Sequence, residues 1–225
     1  MIARMVRQSV LWHAFLAVLL FVPAGTLVWP EGWIFLILMA LCGTAVSLWL
    51  ARHDPALLAE RMAPPIQRGQ KTWDKVLLTG VIVLSIVWLG FMPLDAVRFA
   101  WSHVPLWLQA IGAASIVVCF WIWFLTFREN SFAAPVVKIQ KERAQHVVST
   151  GPYGLVRHPM YGGAILYFLG IPLLLGSWYG LAFAPVFIVV FAVRAVMEEH
   201  VLQAELTGYG DYAAHVRYRL IPLVW

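Results

Sequence analysis

Six long apolar runs alternate with polar segments along the chain. They cover about 9–28, 33–51, 75–92, 106–127, 161–175 and 179–197. An α-helix needs roughly 20 mainly apolar residues to cross the hydrocarbon core of a bilayer, and most of the runs come close to that length. The pattern therefore predicts an all-α, polytopic membrane protein with about six transmembrane helices.

The segments on either side of the second run are typical of the membrane interface. Trp29 and Trp33 bracket a turn between the first two runs, and tryptophan favours that depth. After the second run, Asp54 and Pro55 have the form of a helix N-cap followed by proline at the first helical position. Because an apolar stripe follows over 57–62, we expect a short helix lying along the interface.

The polar segments divide the single domain, 1–225, into two parts. Residues 1–127 hold four of the runs and are expected to form a scaffold, whereas 128–225 form the functional core. The loop at 128–160 contains the longest polar segment, and the tail at 198–225 contains no further apolar run. We expect the loop and the tail to meet as a cap that binds a cofactor over one face of the membrane.

The distribution of charge determines the orientation that we expect. Of the 16 Lys and Arg residues, all except Arg98 lie on the side of the N-terminus in the six-span arrangement. The positive-inside rule then places both termini and the cap in the cytoplasm. We expect an integral protein of a prokaryotic plasma membrane, with its active site on the cytoplasmic side.

Composition excludes several other classes of protein. The chain is 62% hydrophobic and 12% charged, whereas soluble domains carry about 25% charged residues. The pI near 9.5 does not indicate a nucleic-acid partner, because the basic residues lie in short segments between spans. Cys42 and Cys119 fall in apolar runs and are typical of inert thiols. His146, His158 and His200 lack the spacing of metal ligands, so we predict no metal.

Two polar clusters interrupt the apolar pattern and carry the candidate chemistry. They are GPYGLVRHPMYGG at 151–163 and RAVMEEH at 194–200. Arg194 and Glu198 share one helix face, while Glu198 and Glu199 repel each other unless a cationic ligand binds. Ionisable groups at membrane depth indicate function by default. The alternatives are an interfacial Arg194–Glu198 ion pair with snorkelling and an aromatic belt whose Arg157 faces lipid phosphates.

Several motifs in the second half of the chain occur together in one known family. They are GPY at 151–153, RHP at 157–159, YG at 161–162, an arginine at 194 with paired glutamates at 198–199, and VRYRLIP at 216–222. In this combination the chain resembles the isoprenylcysteine carboxyl methyltransferase family, whose wider group includes phospholipid N-methyltransferases. The resemblance covers about 128–222, so the first four spans do not contribute to it.

The resemblance implies S-adenosylmethionine-dependent methyl transfer (the EC 2.1.1 class) at the cytoplasmic face, to a lipophilic acceptor that enters laterally from the bilayer. It also implies the residues of the site. Those that bind the cofactor are Gln145, His146, Val147, Val148, Tyr153, His158, Pro159, Met160, Tyr161, Glu198 and Glu199. The catalytic residues are Arg194, which orients the acceptor, and Glu198. A further cofactor contact from the loop falls on Lys138 or Gln140.

The chemistry of this cofactor agrees with the residue types present. Its sulfonium and ammonium groups are cations that suit paired glutamates, and aromatic faces attract a sulfonium by cation–π interaction. Methyl transfer is an in-line displacement that depends on alignment more than on proton transfer. A carboxylate acceptor, such as an isoprenylcysteine, needs no base and fits bidentate binding by Arg194. An amine or thiol acceptor would lose a proton, which His158, His200 or Glu199 could take.

Three other functions fit parts of the pattern. A phospholipid N-methyltransferase or thiol S-methyltransferase would share the cofactor site and differ in its acceptor. A membrane sterol or enone reductase using NADPH has a similar ending, but no additional glycine-rich phosphate loop or arginine cluster is evident. A non-catalytic scaffold or transporter would need neither polar cluster. For an enzyme of either kind we expect membrane lipids and a lipophilic small molecule or lipid-modified acceptor as partners, and the oligomeric state stays open.

Overall fold

The protein is built of helices alone, and the structure, a computed structural model, describes residues 1–225. The helices are α1 (Ile2–Ala24), α2 (Pro30–His53), α3 (Pro55–Arg61), α4 (Thr72–Pro93), α5 (Leu106–Glu129), α6 (Pro159–Leu175), α7 (Trp178–Glu205) and α8 (Tyr209–His215). A π-helical turn, Leu94–Arg98, extends α4, and two 3-10 turns, Lys141–Arg143 and Gly151–Gly154, lie in the long loop before α6. The prediction of an all-α fold is confirmed.

Five helices are long and apolar enough to cross a membrane: α1, α2, α4 with its π-helical turn, α5 and α7. Helix α6 is apolar as well but has 17 residues, which corresponds to about 25 Å of helix against a hydrocarbon core of about 30 Å. The fold is therefore that of a polytopic membrane protein, as predicted. The sixth span, the cytoplasmic location of the cap and the sidedness of the chain stay predictions.

Helix α7 extends beyond the last apolar run, to Glu205 instead of 197. The residues after Met197, EEHVLQAE, are mostly good helix formers, and no glycine or proline interrupts them. The helix ends where the backbone of Leu206 becomes extended, and Gly208, in the left-handed conformation with φ 83°, then precedes α8. The whole second polar cluster therefore lies on one continuous helix that projects past the apolar part of the bundle.

Helices α5 and α6 form the most extensive contact between helices in the fold, and glycine faces glycine between them. A Cβ added to Gly112 would lie 2.6 Å from the carbonyl oxygen of Gly170, and one added to Gly170 would lie 2.7 Å from that of Gly112. Small residues let membrane helices approach in this way. Trp123 of α5 also donates its indole N–H to the carbonyl oxygen of Met160 at 2.9 Å. Helix α5 thereby fixes the start of α6, where the first polar cluster ends.

Helix α3 confirms the capped short helix predicted after the second run. The Asp54 side chain accepts a hydrogen bond from the backbone N–H of Leu57 at 2.9 Å, and Pro55 is the first helical residue. Leu57 and Leu58 are buried in one apolar cluster with Phe127 of α5. The helix therefore packs at the end of α5, beside the long loop.

At the opposite end of the bundle, Asp95 joins the π-helical turn to the start of α7. Its Oδ2 accepts hydrogen bonds from the hydroxyls of Ser102 at 2.7 Å and Ser177 at 2.5 Å. Ser177 in turn accepts from the backbone N–H of Gly180 at 2.8 Å. Because Asp95 and Ser177 are both completely buried, this end of the bundle is held together by polar contacts inside the protein.

Labelling of single cysteines should place the two ends of the bundle on opposite sides of the membrane. The variants are His103→Cys, in the connection before α5, and Glu142→Cys, in the long loop, because both residues are exposed; Cys42 and Cys119 are first replaced by alanine. With a membrane-impermeant maleimide applied to intact cells, we expect only His103→Cys to react, as the positive-inside rule predicts. Reaction of Glu142→Cys would contradict this orientation.

Candidate functional site

A narrow cavity lies between the long loop, the start of α6, the end of α7 and α8. Its empty volume, including the part open to solvent, is about 840 Å³. Ten of the eleven predicted cofactor-binding residues line it: Gln145, His146, Val147, Val148, Tyr153, His158, Pro159, Met160, Tyr161 and Glu198. The structure therefore brings the loop and both polar clusters together, while their roles stay predictions.

Two of the predicted site residues do not line the cavity. Of the two loop residues predicted as alternatives for a further cofactor contact, one lines it. Arg194 and Glu199 are absent from the wall and are bonded to other protein groups. Lys138 lines the cavity, whereas Gln140 is buried and donates a hydrogen bond to the carbonyl oxygen of Phe132. Of the two loop residues considered as a further cofactor contact, Lys138 is thus the one at the cavity surface.

Glu198 presents a carboxylate to the cavity. The hydroxyl of Tyr161 donates a hydrogen bond to its Oε2 at 2.6 Å, and no basic side chain forms an ion pair with it. Glu198 is also the only acidic residue among those that line the cavity. The wall therefore contains one carboxylate that forms no ion pair with a basic side chain of the protein.

Glu199, the next residue, is buried in an ionic cluster. Nε of Arg157 donates to its Oε1 at 2.7 Å, and Nε of Arg219 donates to its Oε2 at 2.9 Å. Nε2 of His158 lies 3.2 Å from Oε1. For Glu199, the repulsion expected between adjacent carboxylates is therefore relieved by cations of the protein and not by a ligand. The structure gives this residue protein partners instead of a place in the cavity wall.

Arg157 fastens the C-terminal tail to this ionic cluster. Its guanidinium donates to three carbonyl oxygens of the tail, the closest being that of Val216 at 2.9 Å, and its backbone N–H donates to that of Tyr218 at 2.9 Å. A Cβ on Gly162 would lie 2.5 Å from the carbonyl oxygen of Leu220, so the tail packs directly on α6. The alternative in which Arg157 faces lipid phosphates is wrong, because the residue is only 8% exposed.

Three tyrosines line the side of the cavity nearest the tail. Tyr153 accepts a hydrogen bond from the side chain of Asn130 at 2.8 Å, and the hydroxyl of Tyr212 donates to the carbonyl oxygen of Tyr153 at 2.8 Å. Burial raises the pKa of Tyr153, Tyr209 and Tyr212 above the ordinary value for tyrosine. These phenols therefore stay protonated and provide aromatic surface and hydrogen bonds, not a base.

Arg194 forms its ion pair with Asp74 of α4 and not with Glu198. Its Nε donates to Oδ1 of Asp74 at 2.8 Å, and its Nη2 donates to the carbonyl oxygen of Pro135 at 2.8 Å. The guanidinium also lies 5.5 Å from the centre of the Tyr161 ring, so Tyr161 contacts both Arg194 and Glu198. Two of the three guanidinium nitrogens are therefore engaged before any acceptor binds.

Asp74 lies beside the site and is not among the residues that the sequence predicts for it. It is completely buried, and it accepts hydrogen bonds at 2.9 Å from the side chain of Gln70 and from the backbone N–H of Val137, in addition to that from Arg194. These bonds hold the long loop against α4 and α7. A signal was present, because Asp74 is the only acidic residue of α4 and Arg194 the only lysine or arginine of α7. Charges at membrane depth usually pair.

Comparison with known families finds one match, to the middle and later part of the chain. Residues 107–207 match the family model described as phospholipid methyltransferase, a segment that runs from α5 through the long loop to the end of α7. This segment is therefore similar to membrane methyltransferases of that family. The match also confirms the recognition made from the motifs, because this is the family of the isoprenylcysteine carboxyl methyltransferase-like membrane enzymes. No curated protein matches the chain.

Proposed function

We propose that the protein transfers a methyl group from S-adenosylmethionine to a lipophilic acceptor at the cytoplasmic face of the membrane. The observation that carries the proposal is the carboxylate of Glu198, which lies in the cavity wall without an ion-pair partner. The match to a methyltransferase family over 107–207 supports it, because this segment contains Glu198 and most of the wall.

The charges of the cavity wall favour a cationic ligand. Both basic side chains of the wall, Lys138 and Arg157, are paired at 2.7 Å with Glu60 and Glu199. Glu198 has only the neutral hydroxyl of a tyrosine as its partner. A ligand with a sulfonium and an ammonium group would supply the missing positive charge, and the aromatic wall adds cation–π attraction.

The same charges disfavour NADPH and hence the membrane reductase. A dinucleotide carries several phosphates, which proteins usually bind with free basic groups or with a glycine-rich turn at a helix N-terminus. In this cavity the basic groups are already paired and the free charge is negative. We therefore favour the methyltransferase over the reductase.

The protein contributes charge and alignment to the transfer. When bound, the cofactor supplies an electrophilic methyl group, whose bond to the acceptor forms as its bond to the sulfonium sulfur breaks. Glu198 holds the positive charge, and the hydroxyl of Tyr161 fixes the orientation of Glu198. The loop and the tail form walls of the cavity, and their low polarisability strengthens this electrostatic contact relative to bulk water. Alignment of the two reactants then supplies much of the rate enhancement.

An isoprenylcysteine-type carboxylate is our first choice of acceptor, because it needs no proton removal. For a phospholipid amine or a thiol, His158 is the one of the three candidate bases that lines the cavity, and Glu199, 3.2 Å away, would stabilise the imidazolium that results. His200 is exposed and, like Glu199, does not line the cavity.

Arg194→Lys should reduce methyl transfer while leaving the affinity for S-adenosylmethionine nearly unchanged. A lysine can keep a charge opposite Asp74, but it lacks the planar fork that also binds the carbonyl oxygen of Pro135. Since Arg194 does not line the cofactor cavity, we expect the loss to affect the positioning of the acceptor. Both quantities are measured on the same purified variant. If affinity and activity fell in parallel, Arg194 would instead act through the cofactor.

Transfer of a labelled methyl group in liposomes tests the proposed function. The purified protein is offered a farnesylated cysteine, phosphatidylethanolamine and an alkyl thiol, with Glu198→Gln as the control variant. We expect the label to enter the prenylated cysteine and to depend on Glu198. Label in the amine or the thiol would change the class of acceptor. No label in any acceptor, from folded protein with cofactor present, would contradict the proposed function for these three classes.

A further inference from the structure

Arg194 has two carboxylates nearby and pairs with only one of them. Glu198 lies four residues further along α7, on the same helix face, which is the usual spacing for an ion pair within a helix. Asp74 is on α4, 120 residues away in sequence, yet its Oδ1 accepts the hydrogen bond from Nε of Arg194 at 2.8 Å. No ion pair joins Arg194 to Glu198. Because Arg194 is the only lysine or arginine of α7, the two carboxylates compete for a single cation.

The surroundings of Asp74 explain why it is the partner. Asp74 is completely buried, and the side chain of Gln70 and the backbone N–H of Val137 both donate to its Oδ2 at 2.9 Å. Its Oδ1 is thereby directed to Arg194, whose Nη2 donates to the carbonyl oxygen of Pro135 at 2.8 Å. A carboxylate that hydrogen bonds already hold in place loses little side-chain freedom when it pairs with an arginine.

Tyr161 is the residue that contacts both Arg194 and Glu198. The guanidinium carbon of Arg194 stands 5.5 Å from the centre of the Tyr161 ring, and the Tyr161 hydroxyl donates to Oε2 of Glu198 at 2.6 Å. The guanidinium is thus one tyrosine ring away from Glu198. Without Asp74, a change in the rotamer of Arg194 would be enough for the two residues to pair along the helix.

An ion pair between Arg194 and Glu198 would change the charge of the cofactor cavity. Glu198 is the only acidic residue of the cavity wall, and a cationic ligand would have to displace the guanidinium before it could bind there. Asp74 does not line the cavity and precedes the segment 107–207 that matches the methyltransferase family. A residue of the first four spans therefore determines whether the carboxylate of Glu198 is available.

We propose that Asp74 is a positioning residue, which keeps Arg194 away from Glu198 and so leaves the carboxylate of Glu198 free for a cationic ligand. The inference rests on the proposed function in that this ligand is S-adenosylmethionine. The competition of Asp74 and Glu198 for Arg194 follows from the contacts of the protein alone.

A double-mutant cycle on stability tests whether Arg194 changes its partner. Thermal unfolding in detergent is measured for the wild type, Asp74→Asn, Glu198→Gln and the double variant. In the wild type, Glu198→Gln should leave the melting temperature nearly unchanged, because Glu198 has no cation to lose. In Asp74→Asn, the same substitution should lower it by several degrees, because Glu198 is then the partner of Arg194. Additive effects of the two substitutions would overturn the proposal.

Asp95 provides the matched control for a buried aspartate. It is also completely buried, but it accepts hydrogen bonds from Ser102 and Ser177 at the opposite end of the bundle. Asp95→Asn should destabilise the protein without altering the effect of Glu198→Gln, so these two substitutions should be additive. If Asp95→Asn gave the same coupling as Asp74→Asn, the coupling would reflect a general loss of stability, and the proposal would be overturned.

Cofactor affinity, measured by calorimetry on the folded variants, tests the consequence for the site. We expect Asp74→Asn to bind S-adenosylmethionine about tenfold more weakly than the wild type. Asp74→Asn/Arg194→Gln, which lacks the competing cation, and Asp95→Asn should both bind it as the wild type does. Unchanged affinity in Asp74→Asn would overturn the proposal. A loss that persists in the double variant would also overturn it, because Asp74 would then act through the loop at Val137.

The two measurements separate this proposal from the proposed function. The stability cycle contains no cofactor, so it decides whether Asp74 holds Arg194 away from Glu198 even if no variant binds S-adenosylmethionine. In that case the proposed function alone fails. If Asp74→Asn does not fold while Asp74→Asn/Arg194→Gln does, Arg194 finds no new partner, and the proposal is overturned.

Discussion

Replacing Glu198 by glutamine should weaken the binding of S-adenosylmethionine about ten- to hundredfold and leave the melting temperature close to that of the wild type. Glu198 is the only carboxylate of the cavity wall, and a hydrogen bond to a charged group contributes about 1.5–3 kcal/mol. Its one side-chain partner, Tyr161, can also donate a hydrogen bond to the amide oxygen of glutamine. The affinity is measured by titration calorimetry on protein in detergent.

Glu205→Gln provides the matched control for this experiment. Glu205 lies on the same helix and pairs with Lys71 at the surface, where ion pairs typically contribute up to about 1 kcal/mol. The variant removes the same charge from the same helix but outside the cavity, so we expect unchanged cofactor affinity. Equal affinity for wild type and Glu198→Gln, with both proteins folded, would remove Glu198 from the cofactor site.

Glu199→Gln should instead lower the free energy of unfolding by about 3–5 kcal/mol, which is the usual effect of breaking a buried ion pair. Glu199 is 3% exposed and accepts hydrogen bonds from Arg157 and Arg219. With the carboxylate gone, two guanidinium groups lose their shared anion and the tail loses its attachment to α7. Thermal unfolding in detergent and the rate of proteolysis within 206–225 measure the two effects.

The comparison of Glu199 with Glu142 controls for the change of charge. Glu142 is exposed in the long loop, so Glu142→Gln should unfold at the temperature of the wild type. If Glu199→Gln were as stable as Glu142→Gln and equally resistant to proteolysis, the ionic cluster around Glu199 would not hold the tail. The same substitution is thus expected to weaken cofactor binding at Glu198 and to destabilise the fold at Glu199.

The helices could be predicted from the sequence because the length of a membrane span depends on local apolar composition. Asp54 and Pro55 likewise predict the start of α3, because capping involves residues that are close in sequence. The apolar run predicts the end of the last span at 197, before the end of α7 at Glu205, because the run stops where the chain leaves the bilayer, whereas the helix continues until Leu206 becomes extended. The hydropathy of the sequence predicts where the chain leaves the membrane, whereas the end of the helix depends on the local backbone conformation.

The partners of the charged residues could not be predicted from local pattern, because they are distant in sequence. Arg194 lies 120 residues from Asp74, and the spacing of Arg194 and Glu198 favoured a pairing within one helix that the structure does not contain. The different environments of Glu198 and Glu199 depend on Arg219, which the tail brings back to α7 from 20 residues further on. Motifs could place both glutamates near the site, but only the path of the tail determines which one faces the cavity.

Titration of the purified wild-type protein with S-adenosylmethionine and with NADPH, by calorimetry under the same conditions, tests the central claim most directly. The carboxylate of Glu198, which has no ion-pair partner, and the paired state of Lys138 and Arg157 predict that S-adenosylmethionine binds and that NADPH does not. Binding of NADPH, or of neither compound, by folded protein would contradict a methyltransferase site in this cavity.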